Sequence, residues 1–129
     1  MATQNKYTGI ILAGGRGVRL GRDKGLIEFH GKKLVGYAID ILTPFCKEIV
    51  ISSNHPDYQK FPFRIVPDVI TGQGPMMGIF SAMKVSSTTA NLILAVDSIF
   101  ITRAFYHYML SKELSCHQIA VPFCGVQIF

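Results

Sequence analysis

Residues 9–25 read GIILAGGRGVRLGRDKG, and the order of residue types in this stretch decides the fold class. An apolar run of strand length, Ile10–Ala13, ends in Gly14 and Gly15; Arg16, Arg19, Arg22 and Lys24 then follow in quick succession. In an open α/β sheet, ligands bind beyond the carboxyl ends of the strands, and the loop after Ala13 is at such an end. Glycines there let the backbone fold tightly and bring bare N–H groups against phosphate oxygens. Arginine and lysine add charge-assisted hydrogen bonds. Flexible backbone and concentrated positive charge thus have a common explanation in a site for a nucleotide's phosphates. Two familiar phosphate loops fail on spacing. A Walker A loop needs Gly-Lys-Ser/Thr, but no glycine directly precedes Lys24 and Gly25 follows it. The dinucleotide fingerprint G-x-G-x-x-G fits Gly15 and Gly17 and then meets Leu20. The local pattern alone leaves open a glycine-rich turn carrying solvated basic residues.

Further apolar runs recur at Ile49–Ser52, Phe63–Val66, Leu92–Val96 and Ile119–Val121. Most are continuous rather than alternating, which fits strands of a parallel sheet covered on both faces. Between them, Leu34, Ala38, Ile41, Leu42 and Phe45 recur at helical spacing, with Pro44 near the helix end. Gly78–Val85 reads as a second helix, and Thr102 as the N-cap of a third running to about Leu114. Strands alternating with helices predict an α/β doubly wound sheet.

The 129 residues suit a single domain spanning 1–129, and 49% hydrophobic against 16% charged residues excludes disorder by composition. Part of the net charge of +5 is in the opening loop, which suits a small polyanion. A nucleic-acid binder more often spreads its charge along a face with aromatics interleaved; no such stripe is visible, and no nucleic acid is expected. Cys46, Cys116 and Cys124 are far apart and lack metal-ligand spacing, so they read as reduced thiols of a cytosolic protein. No apolar run approaches about eighteen residues, and the opening MATQNKYT lacks a signal-peptide apolar region. A cytoplasmic location without a membrane anchor is the expectation. The closing VPFCGVQIF comes just after a predicted strand and reads as a C-terminal truncation of the domain. Val126, Ile128 and Phe129 would then need cover, which homo-oligomer formation supplies.

LAGGRGVRLGRDKG resembles the signature Leu-Ala-Gly-Gly-x-x-x-Arg-Met-Gly-x-Asp-Lys of the molybdenum cofactor guanylyltransferase family, with Leu20 in place of Met. LIEFHGKKLVGYAID, IVISSN, VPDVITGQGPMMGI and LILAVDSIFIT continue the resemblance in order along the chain. It implies a three-layer, Rossmann-like nucleotidyltransferase fold with a mostly parallel sheet. It also implies Mg²⁺-dependent transfer of GMP from GTP to molybdopterin with release of pyrophosphate. The implied partners are GTP, molybdopterin and cofactor-assembly proteins.

Carried over position by position, the resemblance places Leu12, Ala13, Gly14 and Gly15 at the nucleotide, with the glycine amides on its phosphates. Arg19 and Lys24 neutralise charge growing on the pyrophosphate. Asn54 falls near the guanine base, Asp68 and Gly78 at the nucleotide, and Asp97 on the magnesium ion. Each has a plainer alternative. Asn54 reads equally as a helix cap, and Asp68 as a turn residue after Pro67. Asp97 closes an apolar run, where a carboxylate is costly without a cation or hydrogen bonds. His30, His55, His107 and His117 form no recognisable constellation. In two places the likeness weakens: Ser98 and Ile99 replace a proline-containing turn, and the family continues past this chain's end. Cytidylyltransferases and sugar-phosphate nucleotidyltransferases share the loop type, and a non-catalytic nucleotide-binding or interaction module is a further reading.

Overall fold

The computed structural model describes residues 6–13, 24–70, 72–98, 100–112, 119 and 121. The order of elements is β1 (Tyr7–Leu12), β2 (Glu28–Phe29), β3 (Lys32–Lys33), α1 (Leu34–Leu42), β4 (Cys46–Ser52), β5 (Arg64–Val66), α2 (Pro75–Val85), β6 (Ala90–Ala95) and α3 (Arg103–Leu110). Among the described residues, four strands form a sheet in the order β5-β4-β1-β6, and every pairing in it is parallel. The short β2–β3 hairpin turns through His30 and Gly31, both at positive φ.

Successive side chains of a strand point to opposite faces, and the continuous apolar runs use both. Ile11 of β1 and Ile49 and Ile51 of β4 join Val35, Ala38 and Leu42 of α1 in one buried cluster. Ile10 of β1, Val50 of β4 and Val66 of β5 join Ala82 of α2 in a second. The sheet is therefore the middle of three layers, with α1 on one side and α2 on the other. Tyr106 of α3 enters the α1 side, where its ring is 5.9 Å from Phe45 and its hydroxyl donates to the Ile93 carbonyl at 3.2 Å. No helix among the described residues is long and apolar enough to cross a membrane.

The expected α/β sheet is present, with shifted element boundaries. Three strands begin earlier than their apolar cores: β1 at Tyr7, β4 at Cys46 and β6 at Ala90. β6 ends at Ala95, one residue short of the expected Val96. Helix α2 starts at Pro75 rather than Gly78, preceded by Gly74 at φ 83°, a value that suits a residue without Cβ. Helix α1 ends at Leu42 and tightens into a 3-10 turn over Thr43–Phe45 that contains Pro44. Thr102 does cap α3: its Oγ1 accepts from the Phe105 N–H at 3.3 Å. That helix stops at Leu110, short of the expected Leu114. Ile119 and Val121 stand outside any strand and are exposed, a correction to the expected strand there. Three apolar residues form a strand only if a ladder partner takes up their backbone groups.

At the amino-terminal end of the sheet, polar side chains bind one another. Glu48 Oε1 accepts from the Ser87 N–H and Ser87 Oγ, each at 2.9 Å, and from Thr8 Oγ1 at 3.1 Å. Ser86 Oγ donates to Asn91 Oδ1 at 2.6 Å, tying the turn after α2 to β6. These hydrogen bonds favour the carboxylate and hold the Glu48 pKa below its ordinary value; the backbone bond from Ser87 has the largest effect.

Candidate functional site

Leu12, Ser52 and Ala95 stand side by side at the carboxyl ends of β1, β4 and β6. The backbone pairing runs slightly beyond them. The Ala13 N–H donates to the Ser52 carbonyl at 3.0 Å, and the Val96 N–H to the Leu12 carbonyl at 3.0 Å. Ala13 and Val96 are both buried, so two chain segments leave the sheet from a rigid edge.

From that edge the chain emerges at Asp97, in a turn closed by the Ser98 N–H on the Ala95 carbonyl at 3.0 Å. Lys24 begins a 3-10 turn over Lys24–Leu26. Its Nζ is 3.7 Å from Asp97 Oδ2, and each side chain is 55% exposed. An exposed ion pair of this kind contributes at most about 1 kcal/mol to stability. The pair is therefore not a clamp; it places a cation and a carboxylate together at the mouth of the sheet. The expectation that Asp97 is in costly apolar surroundings is corrected here, because half its side chain faces solvent. Gly14, Gly15 and Arg19, together with Arg16 and Arg22, lie outside the described residues. Ala13 and Lys24 bracket that stretch and are both at the site.

Asn54 and Asp68 meet across the ends of β4 and β5. Asn54 Oδ1 accepts from the Asp68 N–H at 2.8 Å, and its Nδ2 donates to Asp68 Oδ2 at 3.4 Å. Asn54 is thus no helix cap. That role falls to His55, whose Nδ1 accepts from the Asp57 N–H at 3.2 Å ahead of the 3-10 turn Pro56–Lys60. Gly78 is buried where α2 crosses the ends of β1 and β4. A Cβ there would meet Ser52 Oγ at 2.7 Å, Asp68 Oδ1 at 3.6 Å and Leu12 Cδ2 at 3.7 Å. Only a residue without a side chain lets the helix approach so closely. Two tight contacts carry no motif of their own in the sequence. Ser81 Oγ accepts from the Val69 N–H at 2.9 Å, holding the segment after Asp68 to α2. Tyr58 is completely buried beside Gly25.

Among the described residues no group of three or more His, Cys, Asp or Glu is gathered for a metal ion. Magnesium does not need one, since it is commonly held by one or two carboxylates and substrate phosphates. A half-exposed Asp97 just beyond the carboxyl end of β6, 3.7 Å from Lys24, meets that requirement. Cys46 is buried, and desolvation pushes its thiol pKa up to about 12, which leaves it neutral and unreactive.

A model of the MobA-like NTP transferase domain matches residues 9–127. The chain belongs to the MobA-like NTP transferase family. Among curated proteins, it is 33% identical over 116 residues to a probable molybdenum cofactor guanylyltransferase of Pelotomaculum thermopropionicum. That alignment covers 89% of this chain and 56% of that protein. The molybdenum cofactor guanylyltransferase of Pseudomonas putida is 34% identical over 116 residues, covering 87% of this chain and 61% of the relative. The chain thus spans somewhat more than half the length of these MobA-like relatives. Among solved structures, molybdopterin-guanine dinucleotide biosynthesis protein A from Archaeoglobus fulgidus superposes with a TM-score of 0.57 at 22% identity. The match covers 78% of this chain and 52% of that one. A 4-diphosphocytidyl-2C-methyl-D-erythritol synthase from Anaerococcus prevotii gives 0.63 at 18% identity, covering 86% and 52%. At these identities the likeness concerns the fold, which is the Rossmann-like α/β arrangement of nucleotidyltransferases.

Proposed function

We propose that this chain carries the nucleotide half of a guanylyltransferase that moves GMP from GTP to molybdopterin with release of pyrophosphate. The observation that carries this reading is the convergence of Lys24 and Asp97 at 3.7 Å, on the carboxyl edge of the sheet; in the sequence, the glycine-rich stretch runs from Ala13 to Lys24. Family membership sets the reaction class, and the curated relatives' names supply the base and the acceptor.

Nucleotidyl transfer asks for little covalent chemistry from the protein. A phosphate oxygen of the acceptor bonds to the α-phosphorus of the nucleotide, the bond from that phosphorus to the bridging oxygen breaks, and pyrophosphate leaves. Positioning and neutralisation of charge supply most of the acceleration. In this reading the amides of Gly14 and Gly15 hold the phosphates, and Arg19 and Lys24 offset negative charge building on the leaving group. Asn54, held by the Asp68 backbone, offers its amide to the base, and Gly78 keeps α2 close beneath the nucleotide. Asp97 would hold Mg²⁺, which when bound neutralises phosphate charge as a Lewis acid.

Calorimetric titration tests the reading. GTP with Mg²⁺ is expected to bind saturably, to compete better than CTP or ATP, and to bind about tenfold or more weakly to Lys24→Ala. No heat with the unmodified chain, or an unchanged isotherm with Lys24→Ala, contradicts it. Pyrophosphate release that requires molybdopterin as well as GTP separates the transferase from a module that only binds nucleotide.

A further inference from the structure

Lys24 and Asp97 are both half exposed, yet the residue next to each in the chain is buried. Gly25 follows Lys24 and is buried; Val96 precedes Asp97 and is 4% exposed. The two neighbours meet at one point. A Cβ on Gly25 would stand 2.1 Å from the Tyr58 hydroxyl oxygen, 3.1 Å from its Cζ and 3.0 Å from Val96 Cγ2. No real Cβ tolerates the first distance. Gly25 is therefore pressed into a notch with Tyr58 as one wall and Val96 as the other.

Tyr58 has little freedom to retreat. It is 0% exposed, and its ring lies 6.1 Å from that of Phe61 and 6.3 Å from that of His55. The 3-10 turn that carries it is itself anchored. The His55 N–H donates to Ser53 Oγ at 3.0 Å, and the Ser53 N–H to the Val66 carbonyl at 3.1 Å. Val96 is fixed by its backbone bond to Leu12 at 3.0 Å. The backbones that carry the cation and the carboxylate are thus set by a shared buried contact, although the ion pair between them is too exposed to set its own geometry.

We propose that Tyr58 is a positioning residue for the nucleotide site, acting through Gly25 and Val96 to fix the separation of Lys24 from Asp97. This rests on the reading of that pair as the phosphate and metal groups. Tyr58 is packed at Gly25 with Val96 beside it, and its contribution is the placement of the backbones that carry Lys24 and Asp97. Placement matters because a shift of about 1 Å at a reacting centre costs about 100-fold in rate.

Adding and then relieving the clash tests the proposal. Gly25→Ala, Tyr58→Phe, the double variant and Lys24→Ala are compared by calorimetric affinity for Mg²⁺·GTP and by thermal melting without ligand. Gly25→Ala is expected to weaken Mg²⁺·GTP by about tenfold or more, since the new methyl must displace the turn that begins at Lys24. Tyr58→Phe removes the atom it strikes, so the double variant is expected to recover most of that loss. Residues in contact couple rather than add, so the melting curves separate the readings: a general loss of packing lowers melting and affinity together in the same proportion, whereas positioning weakens Mg²⁺·GTP by more than the loss in melting accounts for. Should Gly25→Ala not fold, Tyr58→Phe alone is decisive: weaker Mg²⁺·GTP with little change in melting supports the proposal, and unchanged affinity overturns it. Gly25→Ala binding as the unmodified chain does, or no recovery in the double variant, overturns positioning while a weakened Lys24→Ala keeps the site assignment. Unchanged affinity in Lys24→Ala removes the site assignment, and the positioning role with it.

Discussion

The two ends of one parallel sheet treat their carboxylates in opposite ways. At the amino-terminal end, Glu48 accepts hydrogen bonds from the Ser87 amide and from the hydroxyls of Ser87 and Thr8. At the carboxyl end, Asp97 stands half exposed with Lys24 at 3.7 Å. Both carboxylates belong to neighbouring parts of one fold, Glu48 on the well-buried β4 and Asp97 just beyond β6, an edge strand of the described sheet. Under the proposed function, the difference is in what the carboxylate is for. Glu48 is satisfied by the protein and stitches the turn after α2 to β1 and β4. Asp97 keeps its oxygens open toward solvent, the condition for receiving a ligand. Breaking the first should cost stability; breaking the second should cost function.

The largest effect is expected at the open end. Asp97→Asn should lower nucleotidyl transfer by about 100-fold, about 2.7 kcal/mol of transition-state stabilisation. Its melting temperature should stay near that of the unmodified chain, because an exposed ion pair contributes little to folding. A variant that loses stability and keeps activity would erase the contrast between the two ends. Next comes the helix that closes on the strand ends. Gly78→Ala places a methyl 2.7 Å from Ser52 Oγ, and such overpacking should cost about 1–3 kcal/mol in denaturant unfolding.

At the closed end, Glu48→Gln should cost about 1 kcal/mol of stability and leave nucleotide affinity unchanged. The pH dependence sharpens the point. The folded-state pKa of Glu48 lies below its unfolded value of 4.5. Its stabilisation is therefore fully present above that unfolded value and is lost as pH falls from there through the lowered folded value. Unfolding midpoints measured across that acid window should slope less for Glu48→Gln than for the unmodified chain. The smallest effect is at Cys46, whose thiol, raised to about 12 by burial, should resist alkylation at neutral pH in the folded protein and react only on unfolding.

The sequence exposed the architecture well, for a physical reason. Ile10, Ile11, Val50 and Ile51 are buried on both faces of the sheet, so β1 and β4 read as unbroken apolar runs. Helix α3 announced its start through Thr102, whose hydroxyl has a local task at the cap. Boundaries were less legible. Tyr7, Cys46 and Ala90 are strand residues because of their ladder partners, and nothing in their own neighbourhood encodes that. Ile119 and Val121 show the converse, apolar residues that are exposed and outside any strand.

At the site, Lys24 and Asp97 could be paired only through the order of motifs along the chain, and the structure brings them together. Asn54 was ambiguous because its amide suits a cap, a base or a neighbouring backbone, and its partner Asp68 comes from a different strand end. Tyr58 left no signal at all. Its importance lies in a contact with Gly25, a glycine that reads locally as part of a loop and is in fact packed against a buried ring.

The most direct test is a crystal structure of the chain with GTP and Mg²⁺. The account predicts the triphosphate between residues 13 and 24, the Lys24 ammonium on its phosphates, and a divalent ion on the Asp97 carboxylate. Nucleotide bound elsewhere, or bound there with Lys24 and Asp97 both out of contact, would contradict it.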